Sequence, residues 1–110
     1  MTDEEKYRDY IDLELFAKFK EPLKLMELER DILMFAFKNG YYYITRDNSG
    51  FVEVHKEKPN LNFSEMNGFY WGYGKSMHLF DGLFDFVKWE GWEKSKPMLI
   101  KGILNNYILK

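Results

Sequence analysis

Residues 41–57 read YYYITRDNSGFVEVHKE. Two runs rich in aromatic and β-branched residues, Tyr41 to Arg46 and Phe51 to Glu57, flank Asp47-Asn48-Ser49-Gly50, where turn formers end on a glycine suited to a left-handed residue. The pattern predicts a β-hairpin, ended by Lys58-Pro59-Asn60. Everything else in the chain is placed relative to this hairpin.

Upstream, the residue before Pro22 is steered away from helical dihedrals, while Pro22 itself suits the first position of a new helix. From Pro22 to about Lys38, Leu25, Leu28, Ile32, Phe35 and Ala36 fall on one helical face and Lys24, Glu27 and Asp31 on the other, with Asn39-Gly40 as the C-terminal cap. Further upstream, Thr2-Asp3-Glu4-Glu5 fits a capping box and predicts a helix from Asp3 to Lys20. The alternation of Ile11, Leu13, Leu15, Ala17 and Phe19 would also suit a strand, but the Glu, Leu, Lys and Ala content and the cap decide for helix.

Downstream, residues 60–76 read as irregular or strand-and-turn, and the apolar runs Met77 to Phe80 and Phe84 to Trp89 as short strands divided by Asp81-Gly82. After Pro97, Leu99, Ile100, Ile103, Leu104, Tyr107 and Ile108 recur at helical spacing, interrupted by Gly102. The expected fold is a single α+β domain over 1–110, with two N-terminal helices packed on a small, mainly antiparallel sheet and a C-terminal helix suggested after Pro97.

Composition narrows the function classes. A chain of 110 residues that is 45% hydrophobic can bury a core without staples. The absence of cysteine excludes disulfides, thiolate metal sites and a cysteine nucleophile. The start MTDEEKYRDY is acidic and no stretch approaches the ~18 apolar residues of a membrane span, which predicts a cytoplasmic protein without membrane attachment. A formal net charge of −2 gives neither the basic field of a duplex-DNA binder nor the dense carboxylate array of a DNA mimic. The unusual feature is a 19% aromatic content, with nine of the 27 residues from Met66 to Trp92 being Phe, Tyr or Trp, more than so small a core can hide.

Catalytic and cofactor motifs are not supported. Gly74-Lys75-Ser76 ends like a phosphate-binding loop, but Phe69 stands where its first glycine belongs and Tyr70, Trp71 and Tyr73 would crowd a phosphate. With 22 residues between them, His55 and His78 could each join Glu53, Glu57 or Asp81 at a metal, but neither lies in a ligand-spaced cluster, and both read as surface or turn histidines. Nothing distinguishes Asp81 and Asp85 from sixteen other acids as a catalytic pair, and no serine lies in a Gly-x-Ser-x-Gly elbow. The reading is a non-enzyme without cofactor or metal.

The aromatic residues carry the functional expectation. Tyr41, Tyr43, Tyr70, Trp71, Tyr73, Trp89 and Trp92 are the candidates for a protein-contact surface. Tyr70, Trp71 and Tyr73 could instead stack the bases of a single-stranded nucleic acid, with Arg46 and Lys75 touching its backbone. A third reading is a structural role through self-association at an exposed edge of the hairpin.

Tyr43-Ile44-Thr45-Arg46-Asp47 with Gly50, then Lys58-Pro59, an aromatic segment with Trp71, and Leu83-Phe84 with Val87-Lys88-Trp89-Glu90 and Pro97 resemble a pattern in small prophage-encoded proteins of Gram-positive bacteria. The resemblance covers residues 41–97 and departs at Asp85, where a proline is common, and at Gly91, where an acid is common. It implies a phage accessory protein inside a bacterial host cell. Joined to the aromatic excess, it gives the leading expectation: a protein that binds and modulates a bacterial host protein, such as an inhibitor of a host defence nuclease.

Overall fold

A computed structural model describes residues 22–66, 68–72 and 74–110. The predicted hairpin is its centre: β2 (Tyr43–Arg46) and β3 (Val52–His55) pair antiparallel with Tyr43 opposite His55 and Arg46 opposite Val52. The turn closes as its composition requires. Gly50 N–H donates to the Asp47 carbonyl at 3.0 Å, the Asp47 carboxylate accepts the amides of Ser49 and Phe51 at 2.8 and 3.1 Å, and Gly50 sits at φ +92°, where a side chain would be strained. On the outer sides, β6 (Ser76–His78) pairs with β3 and β7 (Met98–Leu99) with β2, giving a fully antiparallel sheet in the order β6-β3-β2-β7.

Strand alternation sorts the two faces of this sheet. Ile44, Val52 and Val54 point with Arg46 toward the main core, where Leu25, Leu33, Ala36, Phe84, Val87, Ile100 and Ile103 join them. Each of the larger side chains among these contributes roughly 1.5–3 kcal/mol by leaving water. The opposite face carries Tyr43, Thr45, Glu53 and His55, of which all but Glu53 are buried.

Helix α1 spans Glu27–Lys38, five residues shorter at its start than expected from Pro22. Residues Leu23–Leu25 form strand β1 instead, paired in parallel with the C-terminal strand β8 (Tyr107–Leu109). Two interactions move the boundary. The main chain of 23–25 finds a ladder partner in β8, and the Glu29 carboxylate reaches back to accept the Met26 N–H at 2.8 Å, capping the helix there. With Leu25 outside the helix the buried stripe shifts to Glu29, Leu33 and Ala36, and Leu28 and Phe35, expected inside, are exposed. The Asn39-Gly40 cap is as expected: Asn39 Nδ2 donates to the Phe35 carbonyl at 2.8 Å and the Gly40 amide to that of Phe37. The helix expected over Asp3–Lys20 lies outside the described residues.

The region after Pro59 is more regular than its composition suggests. β4 (Asn60–Ser64) and β5 (Gly68–Gly72) form a second antiparallel hairpin, with Leu61 opposite Trp71 and Phe63 opposite Phe69. By contrast, residues 84–89 are not a strand: the Phe84 and Val87 carbonyls are taken by a side chain, as described below. The C-terminal helix is only α2 (Ile100–Leu104), since Met98–Leu99 on one side and Tyr107–Leu109 on the other are drawn into strand pairing. The described domain is thus α+β with a mainly antiparallel central sheet, and α1 precedes that sheet among the described residues.

His55 is completely enclosed rather than at a turn or on the surface, and its Nε2 lies 2.8 Å from Thr45 Oγ1. Burial lowers its pKa from 6.5 to about 4. The unfolded chain therefore takes up this proton near pH 6.5 while the folded chain resists until about pH 4, so stability is full above that window and falls as pH drops through it. Glu53, raised by burial, acts in the opposite sense as it protonates. Urea unfolding between pH 7 and pH 4 should show a loss on the order of 3 kcal/mol from His55, and His55→Gln should flatten this slope.

Candidate functional site

The segment from Asp81 to Val87 has no strand partner, yet the carbonyls of Asp81, Leu83, Phe84 and Val87 all find donors. The Arg46 guanidinium, projecting from β2 on the core side, donates to the carbonyls of Val87 (2.7 Å), Gly50 (2.8 Å), Leu83 (2.9 Å), Asp81 (3.0 Å) and Phe84 (3.1 Å). One planar fork with five N–H donors thus ties the hairpin turn to the loop. Glu29 holds the same loop from the helix side by accepting the Phe84 amide at 2.5 Å. Asp81 Oδ1 accepts the Val52 amide at 2.9 Å and lies 2.7 Å from His78 Nε2; these bonds, the Val52 amide first, hold its pKa below the usual carboxylate value. Phe84 is fully buried with φ +62°, a conformation costly for a bulky residue and maintained here by its bonds to Glu29 and Arg46.

This loop leads into Trp89 and Trp92. Gly91 between them takes φ +92°, the Ser95 amide donates to the Gly91 carbonyl at 3.0 Å, and Ser95 Oγ accepts the Glu90 amide at 2.7 Å. The resulting turn brings both indoles to Phe69 on β5: Trp89 at 5.8 Å between ring centroids, Trp92 at 6.5 Å and nearly parallel, the planes 8° apart. Phe63, across the ladder, adds a fourth ring at 5.1 Å from Phe69. Phe63 is 64% exposed and Trp92 60%. Four rings packed around Phe69, two of them largely in water, form an aromatic surface.

Of the residues singled out from sequence, Trp89 and Trp92 belong to this surface. Tyr70 is exposed on the other side of the hairpin, beside Asn62 and Gly72. Tyr41 is half-buried, with Lys56 Nζ 5.2 Å from its ring centre. Two candidates are corrected: Tyr43 is 3% exposed and packs with Leu99, and Trp71 is 7% exposed with its indole N–H donating to the Arg46 carbonyl at 3.1 Å. Tyr73 lies outside the described residues. The base-stacking arrangement loses two groups at once, since Trp71 is buried and the Arg46 guanidinium is spent on five carbonyls rather than presented to a phosphate. Lys75 remains exposed, with Tyr70. The edges of the 41–57 hairpin are paired, β3 with β6 along Glu53–His55 and β2 with β7 at Tyr43 and Ile44.

Phe63 and Phe69 were not singled out from sequence. Their signal was the alternation of Leu61 with Phe63 and of Phe69 with Trp71, masked by Asn60, Asn62, Gly68 and Gly72, which read as loop. Among the described residues no group of three or more His, Asp or Glu side chains could hold a metal ion, and no helix is long and apolar enough to cross a membrane. No protein-family model, curated protein or solved structure matches the chain.

Arg46→Lys tests how the surface is supported. A lysine has three donors on a single nitrogen and cannot span five carbonyls, so the substitution should cost roughly 2–3 kcal/mol in urea unfolding and perturb the Trp89 and Trp92 indole resonances.

Proposed function

We propose that this protein acts by binding another protein through the face made by Phe63, Phe69, Trp89 and Trp92. The observation that carries the reading is the mutual packing of four rings with Phe63 and Trp92 left mostly in water. Aromatic residues are enriched at the centres of protein interfaces, and tryptophan is prominent among the side chains whose truncation costs most binding energy. Rings already stacked against one another lose little freedom when a partner covers them, so more of the contact energy is left for affinity.

The partner in this proposal is a bacterial host protein, and the role is modulation, as of a defence nuclease whose working surface the protein would cover. What supports this is the prophage-like pattern of residues 41–97, in which Val87-Lys88-Trp89-Glu90 and the Arg46-Asp47 turn are parts of the assembly that builds the face. Base stacking has weaker support, resting among the described residues on Tyr70 and Lys75.

The test is capture of partners from lysate of a Gram-positive host, with and without nuclease treatment, using the wild-type protein and Trp92→Ala. Trp92 is exposed, so its truncation should leave the fold intact while weakening a specific protein partner by about 2 kcal/mol, roughly 30-fold. Retention of the same partner at undiminished affinity would remove the face from the account. Recovery of nucleic acid, with proteins lost on nuclease treatment, would transfer the function to the stacking alternative.

A further inference from the structure

A second feature lies around the hairpin turn, on residues distinct from the four rings of the proposed contact face. A cleft of about 460 Å³ is lined by Asp47, Phe51, Glu53, Met66, Tyr70 and Trp71. Its volume falls within the ~300–1,000 Å³ of small-ligand sites. Its lining combines three aromatic rings and a thioether with two carboxylates and the Ser49 hydroxyl, with no lysine or arginine among the lining side chains.

The state of those carboxylates says what the cleft lacks. Asp47 is 6% exposed; its Oδ1 accepts the Ser49 and Phe51 amides, and its Oδ2 accepts no hydrogen bond among the described residues. Glu53 Oε2 accepts from Ser76 Oγ at 3.2 Å, which leaves Oε1 without a hydrogen-bond donor among the described residues. Burial raises the Glu53 pKa, and the negative charge of Asp47 adds to the rise against the Ser76 bond and the nearby His78. Two partly desolvated anions beside π-faces are an arrangement that a cation relieves twice, by charge and by cation–π attraction.

We propose that this cleft binds the guanidinium or ammonium head of an alkyl cation, with Asp47 Oδ2 and Glu53 Oε1 accepting its N–H groups and the exposed rings of Tyr70 and Phe51 covering its apolar stem. An organic cation rather than a bare inorganic ion is called for because the cleft offers two carboxylates, short of the six or more oxygen ligands a hard metal ion takes, beside aromatic rings that can cover an alkyl stem. The same chemistry is available from a free alkylguanidine or alkylamine and from an arginine or lysine side chain of a polypeptide.

The experiment is a titration of the whole protein followed by ¹H–¹⁵N NMR at low ionic strength, where charge contacts are least screened. The probes are butylguanidinium, its neutral counterpart N-butylurea, and a blocked Gly-Arg-Gly tripeptide. Butylguanidinium should give saturable shifts at the Phe51 and Glu53 amides and the Trp71 indole, and N-butylurea should not. Glu53→Gln keeps an oxygen for Ser76 while removing the charge, and should weaken binding about tenfold, the scale of one close charge contact in a partly desolvated site. Tyr70→Leu, at an exposed position, should weaken it several-fold through the lost ring without disturbing the core.

Tighter binding of the tripeptide than of butylguanidinium would support the proposal with a polypeptide as the source, and the reverse would support it with a small molecule. Absence of saturable shifts, equal shifts from N-butylurea, or undiminished binding by folded Glu53→Gln would overturn it. None of these outcomes depends on whether the Phe69 cluster meets a partner.

Discussion

Five hydrogen bonds from one guanidinium hold together parts of the chain that no ladder connects. Residues 81–87 run over the core without a strand partner, and backbone carbonyls there must find donors or carry the cost of burial. Arg46 supplies them to Asp81, Leu83, Phe84 and Val87, and to Gly50 of its own turn. The position is set by register: Arg46 is the last residue of β2, opposite Val52, on the side of the sheet that faces the core. With Glu29 drawing the Phe84 amide from the other side, the left-handed Phe84 is over-determined. A conformation costing about 1–2 kcal/mol is offset by burial of its ring.

From that anchor the aromatic face follows in sequence. The loop delivers Trp89, Gly91 turns the chain, and Trp92 returns over Phe69, which the second hairpin presents with Phe63. The proposed contact surface is therefore built from two pieces that meet in space, a hairpin and a loop. Its order depends on a residue that touches none of its four rings. The same hairpin turn, through Asp47 and Glu53, contributes the carboxylates of the cationic cleft, so one supersecondary unit supports both proposals.

How legible this was depends on the range of the interaction. The hairpin at 41–57 and the Asn39-Gly40 cap were readable because local turn and cap chemistry decides them. The start of α1 was not, because Leu23–Leu25 is claimed by a strand more than eighty residues away and Glu29 is equally consistent with an exposed helical face. Phe84 to Trp89 looked like a strand by composition; what overrides it is a side chain some forty residues upstream. For the site, Trp89 and Trp92 were found by their size, whereas Phe63 and Phe69 hid in a segment whose Asn and Gly content resembles loop. Arg46 was assigned to a phosphate because a lone arginine in a hairpin gives no sign of inward-facing carbonyls.

The most direct test of this account is native-state hydrogen exchange at the Phe84 and Val87 amides. Phe84 N–H is bound by Glu29 and Val87 N–H by the Phe84 carbonyl at 2.9 Å, in a loop locked by Arg46. If the loop is a fixed part of the core, both amides should exchange as slowly as those of Ile44 and Val54 in the central strands. Exchange at the rate of an unstructured peptide would contradict the account, since the platform for Trp89 and Trp92 would then be open in solution.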